Sequence, residues 1–213
     1  MIGVVLCIAA VGLLLAAERR ASRRGVRIAK PLASAAFLLA GWEFGALESG
    51  YGRVLFLGLV LCAAGDVLLI PKGRSAAFLA GLGSFLAGHV AYAAGFVGLG
   101  LDATALALGA LATGVFAAVV LRWLWPHLIG ENASLRKAVV LYVVVISAMV
   151  ACSAGAVGQG ATLRVGLGAV GFALSDLAVA RERFVSPGFA NGAWGLPLYY
   201  ASQLVLASSA AFA

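Results

Sequence analysis

The stretch Arg53–Ile70, RVLFLGLVLCAAGDVLLI, carries charge only at its first residue and at Asp66. A helix that crosses the hydrocarbon core of a bilayer needs about 20 predominantly apolar residues. Few other structures use a run this greasy, and a carboxylate inside it is costly unless it faces a bundle interior or a water-filled cavity. The stretch therefore reads as a membrane helix with a buried acid near one end. The rest of the chain agrees with it. Its 213 residues are 63% hydrophobic and 11% charged, with a mean hydropathy of +1.07. A soluble domain is near half apolar and about a quarter charged. A cytosolic enzyme, a disordered tail and a disulfide-stapled secreted domain are all excluded.

Apolar runs bounded by charge, Pro or Gly clusters predict spans at 2–17, 31–48, 53–70, 76–99, 103–125, 137–155, 161–180 and 193–212. The expected fold is all-α, a polytopic transmembrane bundle of about eight spans forming one domain over residues 1–213. No length remains for a domain outside the membrane, so any chemistry sits among the helices. The first run lacks a basic segment before it and has Glu18, Arg19, Arg20, Arg23 and Arg24 after it, the reverse of a cleavable leader. It is expected to be a mature span. Cys7, Cys62 and Cys152 lie in apolar runs without metal-type spacing and read as buried structural thiols. Gly41-xxx-Gly45 and Ser84-xxx-Gly88 have the small-residue spacing that lets membrane helices approach closely.

A net charge of +7 would point to nucleic acid in a soluble chain, but here its placement matters more. Thirteen of the 15 Lys and Arg lie around the loops after spans one, three, five and seven: Arg19, Arg20, Arg23, Arg24, Arg27, Lys30, Lys72, Arg74, Arg122, Arg136, Lys137, Arg181 and Arg183. Only Arg53 and Arg164 fall on the other side. Basic loops stay in the cytoplasm. The odd-numbered loops are expected inside, both termini outside, and the location is expected to be a bacterial inner membrane.

The ionisable and polar residues within the spans are few. Asp66 and Asp176 both lie about four residues before a predicted cytoplasmic end. Lys30-Pro31 opens span two, His89 and Tyr92 share a face of span four, Tyr142 is in span six, and Tyr199, Tyr200 and Gln203 are in span eight. Most of this set falls in the cytoplasmic half of the bilayer, where one cavity would collect it. Two carboxyls in an apolar surrounding can share a proton, one serving as general acid while the other orients water or steadies positive charge. The plainer reading is that the aspartates tie helices together through Lys30 and Tyr or Ser hydroxyls. His89 fits core hydrogen bonding as well as catalysis. His127, beside Trp123, Trp125 and Pro126, reads as interfacial, as do Trp42 and Trp194, and Glu43 and Glu48 are expected near the outer surface without a function. Only His89, Asp66 and Asp176 could converge on a metal, without HExxH-type spacing, and neither a Gly-rich phosphate loop nor a GxSxG elbow is present. No metal, cofactor or nucleic-acid partner is expected.

In order and spacing these motifs resemble the YhhN-like family of membrane proteins, which includes the lysoplasmalogenases. The match runs from Lys30-Pro31 and Gly65-Asp66 through Gly81-Leu82-xx-Phe85-xxx-His89-xx-Tyr92 and Tyr142-xxx-Ile146-xx-Met149. It continues with Gly168-Ala169-xx-Phe172-xx-Ser175-Asp176-xxx-Ala180-xxx-Phe184 and ends at Tyr199-Tyr200-xx-Gln203. The resemblance implies an eight-span hydrolase acting on a lysophospholipid in the membrane. It would cleave the vinyl ether bond of lysoplasmalogens to a fatty aldehyde and a glycerophospho-headgroup compound. Asp66 and Asp176 would share the acid and carboxylate roles in an order the sequence leaves open. His89, Tyr92, Tyr142, Ser175, Tyr199, Tyr200 and Gln203 would support them or the substrate, and Lys30 would attract the phosphate. The rival readings are a proton-coupled transporter of a small solute and a non-enzymatic lipid-binding protein.

The orientation is open to a direct check. In a background freed of the native cysteines, a cysteine replacing Ala21 should react with an impermeant maleimide only after the membrane is opened. One replacing Gln159 should react from outside; the reverse pattern would invert the topology.

Overall fold

The computed structural model describes residues 1–71 and 75–212; Lys72 and Arg74, two of the basic loop residues named above, lie outside the described residues. Eight α-helices follow one another: α1 (Ile2–Arg19), α2 (Arg23–Glu43), α3 (Gly50–Leu68), α4 (Ser75–Gly98), α5 (Ala103–Leu124), α6 (Arg136–Gly158), α7 (Leu163–Ala180) and α8 (Phe189–Ser209). Among the described residues there is no strand. Six of the eight, α1 and α3 through α7, are long and apolar enough to cross a membrane. The chain is an integral membrane helical bundle. α2 and α8 fall short in composition because α2 carries Arg23, Arg24, Arg27 and Lys30, and α8 carries Asn191, Pro197, Tyr199, Tyr200 and Gln203. Their polar residues are largely those of the site described below.

The helices pack as four consecutive antiparallel pairs, α1 on α2, α3 on α4, α5 on α6 and α7 on α8. Contacts between α2 and α3, α4 and α6, α6 and α7, and α8 and α2 link the pairs into a ring of six helices. α1 braces this ring across α2 and α8, and α5 lies outside it against α6. Small residues set the close approaches. A Cβ on Gly65 would stand 2.7 Å from the Phe85 ring, so glycine there lets α4 lie against α3. Ser84 Oγ donates to the Leu61 carbonyl at 2.7 Å, and Gly88 packs on Cys62, so the Ser84-xxx-Gly88 pair does join these helices.

Two expectations are corrected by the helix ends. Span two was expected to open at Lys30-Pro31, but α2 starts at Arg23, and Pro31 is inside it. The helix begins where Ser22 Oγ accepts from the Gly25 backbone N–H at 3.2 Å, so its first two turns lie in the basic segment that an apolar run cannot reveal. The second correction concerns Gly41-xxx-Gly45. Gly41 packs against Leu59 and Phe56, but Gly45 lies past the end of α2 with φ +76°, a turn position rather than a packing one.

Glu43 also has a task that the sequence did not disclose. Its carboxylate accepts from the backbone N–H groups of Ile2 at 3.0 Å and Gly3 at 3.1 Å, and so caps α1 from the far end of α2. Unpaired N–H groups at a helix start are costly, and an acid there is favoured by the helix dipole. Glu43→Ala is expected to lower stability by about 1 kcal/mol, as loss of an N-cap does. Exposed Glu48→Ala should stay near wild type in thermal unfolding in detergent.

Candidate active site

Five helices of the ring, α2, α3, α6, α7 and α8, bring two carboxylates and their hydrogen-bonding partners together. Asp66, in the last turn of α3, is 2% exposed and has a partner for each oxygen. Its Oδ2 accepts from Ser34 Oγ at 2.7 Å and from Tyr199 OH at 2.9 Å, and its Oδ1 faces Lys30 Nζ at 3.4 Å. Lys30 and Ser34 are one turn apart on α2, so one face of that helix supplies both. Tyr200 extends the network, with its hydroxyl donating to the Lys30 carbonyl at 3.4 Å and lying 3.4 Å from Ser34 Oγ. A buried ion pair of this kind is sustained only when the remaining lone pairs are hydrogen-bonded.

Asp176 is arranged differently. It lies one turn before the end of α7, its side chain is 18% exposed, and its Oδ2 accepts from Tyr142 OH at 2.6 Å. His89 Nε2 stands 3.9 Å from the same oxygen. The His89 ring is fully buried, tilted over Phe172 at 4.5 Å and edge-on to Tyr142 at 5.2 Å, and neither nitrogen completes a hydrogen bond of good geometry. Phe172 lies against both clusters. It also packs on Tyr199 at 5.3 Å, so one ring touches a neighbour of each carboxylate.

Both aspartates line a cavity of about 1110 Å³. Its mouth is formed by Ala21 and Ser22 before α2, Pro71 after α3, and Pro187 and Gly188 before α8. That is the end at which the sequence places its basic loops. Lys30, Tyr142, Ser175 and Tyr199 also line the cavity. The lip between α7 and α8 is held by Asn191, 1% exposed. Its amide donates to Glu182 Oε2 and to the Ser186 carbonyl, both at 2.8 Å, and its oxygen accepts from Arg181 at 2.7 Å.

The predicted site residues thus divide. Lys30, Asp66, Tyr142, Asp176, Tyr199 and Tyr200 converge, with His89 behind Asp176. Tyr92 and Gln203 pair with each other at 2.7 Å, apart from the cavity lining. Ser175 Oγ donates to the Phe172 carbonyl at 2.7 Å, a bond within its own helix rather than to either acid. Ser34 was missed; its one signal was its position four residues after Lys30. Asn191 had none. Among the described residues no three His, Cys, Asp or Glu side chains converge as a metal site.

The model of the YhhN family matches residues 26–210, which takes in every one of these side chains. The chain belongs to the YhhN family. It is similar, at 33% identity over 165 residues, to proteins named lysoplasmalogenase from Mycobacterium bovis and Mycobacterium tuberculosis. Those alignments cover 75% of this chain and 60% of the length of either relative. No solved structure matches this YhhN-family chain.

The Lys30–Asp66 pair makes a stability prediction. Removing one partner of a buried ion pair costs about 3–5 kcal/mol, whereas replacing both by apolar groups is often neutral. Lys30→Met should therefore destabilise the protein strongly in denaturant titrations in mixed micelles. The double variant Lys30→Met with Asp66→Leu should recover most of that loss.

Proposed function

We propose that this protein is an ether hydrolase of the lysoplasmalogenase type, and that Asp176 is its proton donor. The observation that carries the assignment of roles is the unequal satisfaction of the two acids. Asp66 accepts from two hydroxyls and faces an ammonium, a surrounding suited to a carboxylate alone. Asp176 accepts one hydroxyl and keeps its other oxygen toward the cavity, where a proton can be carried and delivered. The relatives' name and the family match support the substrate class.

In this reading the vinyl ether lies between the two acids. The Asp176 carboxyl donates its proton to the β carbon of the alkenyl group, forming a C–H bond and leaving an oxocarbenium ion. The resulting Asp176 carboxylate and the fixed charge of Asp66 face that cation. Water attacks the carbon next to the ether oxygen and returns a proton to Asp176. The hemiacetal then breaks its C–O bond to the glycerol, giving a fatty aldehyde and a glycerol hydroxyl. One water is consumed and the enzyme is restored. Tyr142 holds Asp176 in place, and Tyr199 and Ser34 do the same for Asp66. Lys30 serves Asp66 rather than the phosphate.

General acid catalysis contributes typically 10²–10⁴-fold. Asp176→Asn is expected to reduce aldehyde release from a lyso-alkenyl phospholipid by at least about a hundredfold, with folding retained. Mass spectrometry of free aldehyde from purified protein is the measurement. A folded Asp176→Asn protein working at the wild-type rate would remove the mechanism.

A further inference from the structure

The cavity has two chemically unlike walls. On the α2 side, Arg23, Arg27 and Lys30 fall on one helix face. On the opposite side the lining is apolar: Phe116, Val120 and Leu124 of α5 face Val139 and Val143 of α6. Asp176 and Tyr142 border this second wall, each adjacent in sequence to one of its lining residues, Leu177 and Val143.

The apolar wall is closed at one end. Where α5 begins and α6 finishes, the helices touch, and a Cβ on Gly109 would stand 2.8 Å from Ala154 Cβ and 3.3 Å from Ala151 Cα. Further along, Val120 and Leu124 of α5 pack with Val139 and Val143 of α6 in one apolar cluster that also lines the cavity. Leu124, Val120 and Phe116 recur every fourth residue, so they form one stripe ending at Phe116. At 1.5 Å rise per residue that stripe is about 12 Å long.

We propose that the apolar α5–α6 wall seats the hydrocarbon tail of a single-chain lipid, that Phe116 limits its length, and that Arg23 and Arg27 hold the phosphate at the mouth. The inference rests on the hydrolase reading for its alkenyl chemistry, but the tail site stands on the wall itself. A tail along this wall and a phosphate on α2 put the bond between them beside Asp176 and Asp66, which line the same cavity. Lys30 is already paired with Asp66 and Arg183 stacks over Phe78 at 4.9 Å, so the phosphate is assigned to the two arginines nearer the opening on α2.

The test uses purified wild-type protein, Phe116→Ala, Phe116→Leu and Phe116→Trp. Hydrolysis is measured over a series of lyso-alkenyl glycerophosphoethanolamines of increasing chain length. Binding is measured in parallel over a matching series of non-hydrolysable lyso-alkyl ethers. Phe116→Ala and Phe116→Leu should move the preferred length upward and Phe116→Trp downward. The ratio between neighbouring even chain lengths should change by on the order of tenfold, as expected for two methylenes gained or lost from an apolar site. Val119→Trp, on the 61% exposed outer face of α5, should leave the preference unchanged. Arg27→Ala should raise KM at every length without moving the optimum, and an unchanged KM would remove the phosphate assignment. An identical length preference in folded Phe116 variants that still hydrolyse the substrate would overturn the tail site and spare the hydrolase reading. Shifted binding of the ethers, with no hydrolysis by the wild-type protein, would uphold the tail site and overturn the hydrolase reading.

Discussion

A carboxylate in the middle of an apolar bundle has to be given partners, and much of this architecture follows from how Asp66 receives them. Three helices meet at that side chain: α2 with Lys30 and Ser34, α3 with Asp66, and α8 with Tyr199. An unpaired charge in a membrane interior is expensive, so these contacts hold the helices in one relative register. The same requirement explains the composition of α2 and α8. They are the two helices too polar to resemble ordinary spans, because they provide the donors. α1 packs across both and has its own start capped by Glu43 of α2.

The second carboxylate has fewer partners. Tyr142 fixes one oxygen of Asp176, and His89 stands behind it without a completed hydrogen bond. Buried polar groups are normally paired, and exceptions concentrate where chemistry needs a free atom. Within one cavity, the protein thus presents a carboxylate whose bonds are filled and one with an oxygen available. That asymmetry, rather than the mere presence of two acids, is what the proposed proton transfer rests on. Asp66 is in fact such a tie as well, so the two readings of it describe the same residue.

Much of this was legible along the chain. Long apolar runs reveal membrane helices because lipid tolerates little else, and rare ionisable residues within them stand out for the same reason. Asp66, Asp176, Lys30, Tyr142 and Tyr199 were found in that way. The beginning of α2 was not, since a helix start depends on the Ser22 cap and not on hydropathy. Gly45 looked like a packing residue until the turn after α2 gave it a positive φ. Ser34, Ser175 and Asn191 show the same limit. Serine and asparagine bond to whatever is near, and nearness across helices is not encoded in spacing along one of them.

The sequence by itself determined that this is a helical membrane protein with a few costly ionisable residues inside its spans. The reason is energetic and local: each run is too apolar for water, and each buried charge is too costly to be incidental. Only the tertiary structure decided which acid holds Lys30, which keeps an open oxygen, and which wall of the cavity is greasy. Those outcomes depend on the order in which helices pack around the ring, and that order arises from contacts such as Tyr200 to Lys30, 170 positions apart.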